Sequence, residues 1–423
     1  MSTQTNLVID NLASQGEGTS DADGQKVFVP FTLPGERVVA DVEGERGSLV
    51  YVEQKSPDRI TPVCRHFGNC GGCALQHAGP ALYRRFKRDQ IVHALQSRGF
   101  GDDVDVAELI AIAPGTRRRA TFAVSRKGDD IVLGYHAARS HDLVGIEECP
   151  VLRPSIVREL PNLRALLAIA LPRLGSGELH VTDTGHGLDV MLNGTGLEMA
   201  AKRRSALGAW LTAMPKMLRL TVDGEQIAAH QTPMVEFSGH PVLLPAGSFL
   251  QATAEAEAHM IALIGEALGK LKKPDRVADL FAGLGAFSLA LAATHEVLAA
   301  EWDVNAVTAL TAAARQPGLR KLDVLRRDLF REPLSARELE PFAAVVFDPP
   351  RAGAQAQAEQ IAASSVRTVI AISCNPATFA RDARTLVDGG YQLGRVTPID
   401  QFLFSAHVEV VAVFTKGKVR SKP

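Results

Sequence analysis

The rhythm of apolar and polar positions changes twice along the chain. Over residues 7–55 short alternating runs, such as Lys26-Val27-Phe28-Val29 and Arg37-Val38-Val39-Ala40-Asp41-Val42, are separated by turn residues in Gly16-Glu17-Gly18 and Leu33-Pro34-Gly35-Glu36. That pattern predicts short strands closing into a small OB-like β-barrel. Residues 57–62 read as a linker. Residues 81–97 then read as a helix with a basic face, and strand patterns at 121–124, 131–135, 187–192 and 217–222, with a helix at 158–171, make an α+β region. From residue 247 the apolar runs at 277–280, 297–300, 343–347 and 366–372 alternate with helical stretches, which predicts parallel strands joined by crossover helices, with a last strand at 407–414. The boundaries fall at 1–56, 57–246 and 247–423. A chain of 423 residues exceeds one ordinary core, which agrees with three units.

Charge adds little at the level of the whole chain. Lys and Arg total 46 against 47 Asp and Glu, a net charge of −1, so nucleic-acid binding has to rest on local basic runs. Candidates are Arg84-Arg85-Phe86-Lys87-Arg88, Arg117-Arg118-Arg119, Lys202-Arg203-Arg204 and the tail residues Lys416, Lys418, Arg420 and Lys422. No secretory leader pattern and no stretch of about twenty apolar residues occurs, so the expectation is a cytoplasmic protein without a membrane span. In a reducing compartment its five cysteines read as ligands or catalysts rather than disulfides.

Four of the cysteines make one group. Cys64, Cys70 and Cys73 lie within ten residues, with Gly71-Gly72 letting the backbone wrap tightly, and Cys149 is followed by Pro150. Four thiolates of this spacing suit a structural zinc ion or an iron–sulfur cluster about equally. The fifth, Cys374 in Ser373-Cys374-Asn375-Pro376, ends an apolar strand and precedes a helix opening with Pro. That places its sulfur at the carboxyl edge of the sheet, beside a helix N-terminus that favours thiolate. A small core side chain is the plainer reading of a lone Cys in an apolar run.

Other residues at the same edge favour chemistry. Asp279-Leu280-Phe281-Ala282-Gly283-Leu284-Gly285 is a strand and then a glycine turn that lets a ligand approach the backbone. Glu301 closes the second strand, where an acid can bind ribose hydroxyls, and Asp328 follows the third, where it can meet an adenine amino group or simply cap a turn. The missing third glycine and the acid in the first strand favour S-adenosylmethionine over a dinucleotide. Asp348-Pro349-Pro350-Arg351 fixes a carboxylate where two prolines end a strand. A thiol, carboxylates and a methyl donor fit one task. A thiolate adding to C6 of uracil makes C5 nucleophilic, and a base must then remove the C5 proton so that the thiol can leave. Cys374 and Glu409 suit those roles, Asp348 suits holding the uracil edge or the donor, and Gln251 adds a polar contact. The base has to be unpaired or flipped to be reached.

Taken together these motifs resemble the RNA uracil-5-methyltransferase family, in particular its iron–sulfur branch acting on 23S ribosomal RNA. The resemblance runs from the Gly-Glu-Gly and Leu-Pro-Gly-Glu-Arg-Val runs, similar to a TRAM RNA-binding barrel, through the cysteines and Phe249-Leu250-Gln251 to Glu409. It implies a Rossmann-like class I methyltransferase domain, with Cys374 as nucleophile and Glu409 as base. It also implies donor contacts from Gln251, Phe281, Gly283, Gly285, Glu301, Asp328 and Asp348, and a [4Fe-4S] cluster on Cys64, Cys70, Cys73 and Cys149, with zinc as the alternative. RNA is the implied partner, ribosomal before transfer RNA, of a monomeric enzyme; the rival is a non-catalytic RNA-binding or cluster-carrying protein on the same scaffold. Ala286 and Thr253 stand where the family often has Asn, and Ala282 where it often has Cys, which puts one polar donor contact in question.

Overall fold

The computed structural model describes residues 3–22, 24–196, 199–269, 271 and 275–417; Lys418, Arg420 and Lys422 of the basic tail lie outside them. The first unit is a six-stranded sheet of β1 (Thr3–Val8), β2 (Asn11–Leu12), β3 (Gly18–Ala22), β4 (Gln25–Val29), β5 (Arg37–Glu43) and β6 (Arg46–Gln54), in the order β1-β5-β6-β4-β3-β2. Alternation puts Leu7, Ile9, Val27, Val29, Val38 and Ala40 into its small core. Buried Glu36 ties the barrel to the next segment, accepting from Leu33 N–H at 2.9 Å and from the Arg59 guanidinium at 2.7 Å.

Helix α1 (Pro80–Gln96) shows why a run of charges is a poor guide to a face. Arg84 and Arg85 are exposed, but Lys87, expected on the basic face, is fully buried, its Nζ 2.8 Å from Asp400 Oδ1. The apolar side of α1 (Leu82, Phe86, Ile91, Leu95) shares a core with Phe379, Leu386 and Val396 far down the chain. Val106 and Ile110 form β-bridges to Val396 and Ile399. This part of residues 57–246 is therefore built onto the C-terminal sheet rather than onto the central one, because apolar burial follows space rather than sequence order.

The central sheet comprises β7 (Arg119–Lys127), β8 (Asp130–His136), β9 (Leu143–Gly145), β10 (Leu174–Asp183), β11 (Leu188–Asn193), β12 (Met217–Val222) and β13 (Glu225–Ala229). Its order is β13-β12-β11-β10-β7-β8-β9. Helices α2 (Pro154–Arg158), α3 (Leu160–Ala170) and α4 (Ala201–Thr212) accompany it, and Phe122, Leu163, Leu167, Leu179 and Leu220 fill the core. The helix expected at 158–171 is α3, and the short α2 precedes it; each has Pro in its first turn, where the missing N–H costs nothing. A hairpin of β14 (Met234–Phe237) and β15 (His240–Leu243) leads to α5 (Ala254–Leu268).

Then come β16 (Arg276–Leu280), α6 (Ala286–Ala292), β17 (Glu296–Glu301), α7 (Val304–Ala313), β18 (Leu322–Arg326), α8 (Ala336–Leu339), β19 (Ala344–Phe347), α9 (Gln355–Ala363), β20 (Thr368–Ser373), α10 (Pro376–Asp388), β21 (Tyr391–Ile399) and β22 (Glu409–Lys416). The order is β18-β17-β16-β19-β20-β22-β21, parallel except for β22, which runs antiparallel to both its neighbours. Strands buried on both faces explain the continuous apolar runs of the sequence. Two consequences position the site. Strand order reverses between β16 and β19, the place where open α/β sheets bind ligands outside their carboxyl ends. The reversed β22 brings its first residue, Glu409, to that same end.

Candidate active site

On one half of the carboxyl edge the residues after β16, β17 and β18 stand side by side. Phe281 takes a positive φ of 63° directly after β16, turning the chain out of the sheet, and its ring centroid lies 5.5 Å from that of Phe330. Glu301 is held by backbone amides: Oε2 accepts from Gly283 N–H at 2.8 Å, and Oε1 from Trp302 at 2.7 Å and Asp303 at 2.8 Å. Asp328 accepts from Phe330 N–H at 3.0 Å, a turn cap that leaves its other oxygen beside the exposed Arg331. The two glycines differ in purpose. At Gly283 (φ 54°) an added Cβ would meet open space, whereas at Gly285 (φ 90°) it would come within 2.3 Å of Leu310 Cδ1. Gly285 thus serves the packing of the turn on α7, beside its expected place at the donor. Behind the turn, Asp279 is fully buried and accepts from the Ser288 hydroxyl; burial pushes its carboxyl up to about 7.

On the other half lie Asp348, Cys374 and Glu409. Pro349 and Pro350 release the chain after β19, and the Arg351 carbonyl accepts from Asn375 Nδ2 at 3.0 Å, so the loops after β19 and β20 are tied together. Asn375 caps α10 by accepting from Ala377 N–H at 3.1 Å. β20 and β22 pair with Ser373 opposite Val410; continued by one residue, that register sets Cys374 opposite Glu409. Neighbours across such a pair have Cα atoms about 4.5–5.5 Å apart. β22 lies between β20 and β21, and Glu409 is 2% exposed.

A chain of side-chain amides joins the two acids. Gln251 Nε2 donates to Asp348 Oδ2 at 2.8 Å, Gln401 Nε2 donates to Gln251 Oε1 at 3.0 Å and also to Glu409 Oε2, and Gln401 Oε1 accepts from Ala252 N–H at 3.1 Å. Arg118 backs this chain from β7's side, its Nε donating to the Gln251 carbonyl at 2.9 Å and its guanidinium meeting Glu257 at 2.6 Å. Burial pushes both Asp348 and Glu409 upward, Glu409 further because of Asp348's charge. Burial also pushes the Cys374 thiol up to about 11, with Glu409 and Asp348 adding to the shift. The thiolate expected from the helix N-terminus is thus outweighed by desolvation and two facing acids.

Gln401, Arg118 and Lys87 escaped the sequence reading. Gln401 lies in an irregular loop with no spacing to mark it, and Arg118 was hidden in a basic run although it is only 5% exposed.

The four remaining cysteines sit on loops and are half-buried. Cys70 bridges to Ala137, Gly71 N–H donates to the His136 carbonyl at 2.9 Å, and Arg65 meets Glu147 at 2.5 Å, which fastens the 64–73 loop to the segment ending in Cys149. Burial pushes Cys73 up to about 12, and the charges of Cys149, Cys70 and Cys64 all oppose its ionisation, so the four thiols are near one another. Among the described residues no three of His, Cys, Asp or Glu converge on a single-ion position. Of the histidines beside these cysteines, His77 is buried against Phe31 and Phe67, and His66 Nε2 accepts from Glu147 N–H at 3.2 Å.

Known proteins can now be set beside this geometry. The family model for tRNA (Uracil-5-)-methyltransferase matches residues 240–417. An uncharacterized RNA methyltransferase of Brucella melitensis is 46% identical across 97% of this chain and 98% of its own. The 23S rRNA (uracil(1939)-C(5))-methyltransferase of Edwardsiella ictaluri is 34% identical across 96% of this chain and 94% of its own. The structure of Pyrococcus abyssi tRNA (uracil-54, C5)-methyltransferase in complex with S-adenosyl-L-homocysteine shares the fold, with a TM-score of 0.74, 20% identity, and coverage of 97% of this chain and 99% of that one. On that nearly full-length identity, the chain belongs to the RNA uracil-5-methyltransferase family, enzymes that are S-adenosylmethionine-dependent.

Proposed function

We propose that this enzyme methylates C5 of a uridine in 23S ribosomal RNA through a covalent bond between Cys374 Sγ and C6. The observation that carries the reading is the reversed strand β22, whose register brings Glu409 opposite Cys374 at the edge where Asp348 ends β19. S-adenosylmethionine, when bound, would supply an electrophilic methyl on a sulfonium. Residues Phe281, Gly283, Glu301 and Asp328 are in position to hold it: Phe281 with Phe330 offers an aromatic wall, Gly283 leaves open space at the turn, and Glu301 and Asp328 keep acceptor capacity beyond their backbone bonds. Asp348, with one oxygen on Gln251, has the other for the uracil edge or the donor. Cys374 attacks C6 as the thiolate, its proton passing to solvent. The electron pair displaced from C5=C6 then takes up the methyl at C5 as the methyl–sulfonium bond breaks. Glu409, as the carboxylate, takes the C5 proton, so that the C5=C6 bond re-forms and Sγ leaves with the C–S pair. Fixed placement of these groups accounts for about 7–11 kcal/mol of barrier lowering in such reactions.

Support for ribosomal RNA comes from the Edwardsiella ictaluri relative, similar along almost its whole length; transfer RNA is the second reading, favoured by the family model's description. Cys64, Cys70, Cys73 and Cys149 are the residues that would hold a [4Fe-4S] cluster, whose bonds would cross-link the 64–73 loop to Cys149. A structural zinc ion on the same four thiolates is the alternative, and the family resemblance is what favours the cluster.

The test is incubation with S-adenosylmethionine and 5-fluorouridine-containing 23S fragments or transfer RNA in separate arms. Fluorine at C5 cannot leave as a proton, so the expected product is a methylated protein–RNA adduct, stable in denaturing gels, with the ribosomal fragment and absent for Cys374→Ala. Adduct formation by Cys374→Ala would refute the nucleophile, and trapping of transfer RNA alone would replace the substrate.

A further inference from the structure

The loop of residues 400–408, between β21 and β22, is anchored from two sides. Asp400 accepts from Lys87 Nζ at 2.8 Å and from the Tyr83 hydroxyl at 2.7 Å, both on α1. Its neighbour Gln401 is 3% exposed, and its amide spends every polar atom inward: Oε1 on Ala252 N–H, and Nε2 on both Gln251 Oε1 and Glu409 Oε2. The remaining oxygen of Glu409, Oε1, is buried and has no hydrogen-bond partner. A buried carboxylate oxygen without a donor is costly unless something else uses it. Only one oxygen of this acid is therefore committed to the protein.

We infer that Gln401 is a positioning residue for the elimination step, holding Glu409 by Oε2 so that Oε1 is the atom that takes the C5 proton. The inference rests on the assignment of Cys374 and Glu409 above. In that step the C5–H bond breaks towards Glu409 Oε1, its electron pair forms the C5=C6 bond, and the C6–S bond breaks with its pair returning to Cys374 Sγ. The earlier attack of Sγ on C6 uses neither oxygen of Glu409, and Gln251 keeps its own bond to Asp348 when the Gln401 amide is lost. Loss of the amide therefore slows the second half of the reaction and spares the first.

Gln401→Met keeps the side chain's length and removes its donor. With 5-fluorouridine RNA, whose adduct forms before any elimination, the variant's trapping rate is expected within about threefold of wild type. With ordinary uridine RNA, turnover is expected to fall on the order of 100-fold, with KM falling alongside kcat and a covalent protein–RNA intermediate accumulating on denaturing gels. Parallel loss of trapping and turnover would reduce Gln401 to a structural role, and turnover within threefold of wild type would remove the role altogether; either outcome overturns the inference. Should Gln401→Met fail to melt cooperatively, Gln401→Glu carries the test through its pH profile. Its new carboxyl donates to Glu409 only when protonated, so turnover relative to wild type should recover as pH falls, and an unchanged relative profile counts against the inference. If wild type itself forms no 5-fluorouridine adduct, the failure lies with the nucleophile assignment; if wild type traps and the variants behave as wild type, it lies with Gln401 alone.

Discussion

The carboxyl edge of the C-terminal sheet and the four-cysteine site are built on opposite principles. At the edge, each functional side chain ends a buried strand or leaves it by a single residue, and side-chain amides hold the acids in place. At the cysteine site every sulfur sits on a loop, and the loops are fastened to each other by a β-bridge and surface ion pairs. The edge concentrates acids that oppose the charging of Cys374, and the loops concentrate thiols that oppose each other's charging. Both arrangements are unfavourable alone and suit a cationic occupant. The edge has its geometry from the sheet, whereas the loops have theirs from the Cys70–Ala137 bridge and the Arg65–Glu147 pair.

The sharpest way to break this contrast is to remove one ligand. Cys149→Ser is expected to abolish stoichiometric iron and sulfide in the purified protein and make the 64–73 loop cleavable by protease. The edge should keep 5-fluorouridine adduct formation within about tenfold, because Cys374 and Glu409 take their register from β20 and β22, and residues 74 and 75 after the cysteine loop touch this region through two N–H groups donating to the Phe404 carbonyl. Iron retained by the variant, or zinc without iron in the wild type, would end the cluster assignment.

Next in size is the support beneath the edge. Lys87→Met leaves the Asp400 carboxylate buried without its ion-pair partner, and denaturant titration should show a loss of about 3–5 kcal/mol; adding Asp400→Asn should return most of it.

Asp279 gives the pH dependence. Its carboxyl titrates at about 7 in the folded chain against 3.8 ordinarily, so between those values the folded state binds a proton that the unfolded state has lost. Stability from this group is therefore present below about pH 4 and is lost as pH rises through 7, on the order of 4 kcal/mol. Asp279→Asn should flatten that segment in denaturation midpoints taken at pH 5 and pH 7.5.

The smallest effects separate the two glycines. Gly285→Ala, blocked by Leu310 and at positive φ, should cost about 1–3 kcal/mol. Gly283→Ala, strained only by its φ, should cost about 1 kcal/mol while weakening donor binding more than Gly285→Ala does.

Much of this architecture was legible from residue order. Alternating runs in residues 7–55, continuous runs from 277 onward, and prolines or glycines closing those runs gave the sheets, because local periodicity reports which faces are buried. Cys374 and Asp348 were legible for the same reason: each directly follows an apolar run, and strand ends at a parallel sheet's carboxyl edge converge. The exceptions were residues whose meaning depends on a distant partner. Lys87 looked like part of a basic face until Asp400, more than 300 positions later, was found against it, and α1 belonged by sequence to one unit and by packing to another.

Residue order by itself thus determined the strands, the chemistry available at their ends and the grouping of the cysteines. Tertiary structure alone decided that β22 runs backwards between β20 and β21, so that Glu409 meets Cys374, and that Gln401 and Gln251 join that acid to Asp348. It also decided that the thiol lies above rather than below its ordinary range. Periodicity records burial within one element, but strand order, register and the field at a buried atom are sums over elements that the chain brings together only when folded.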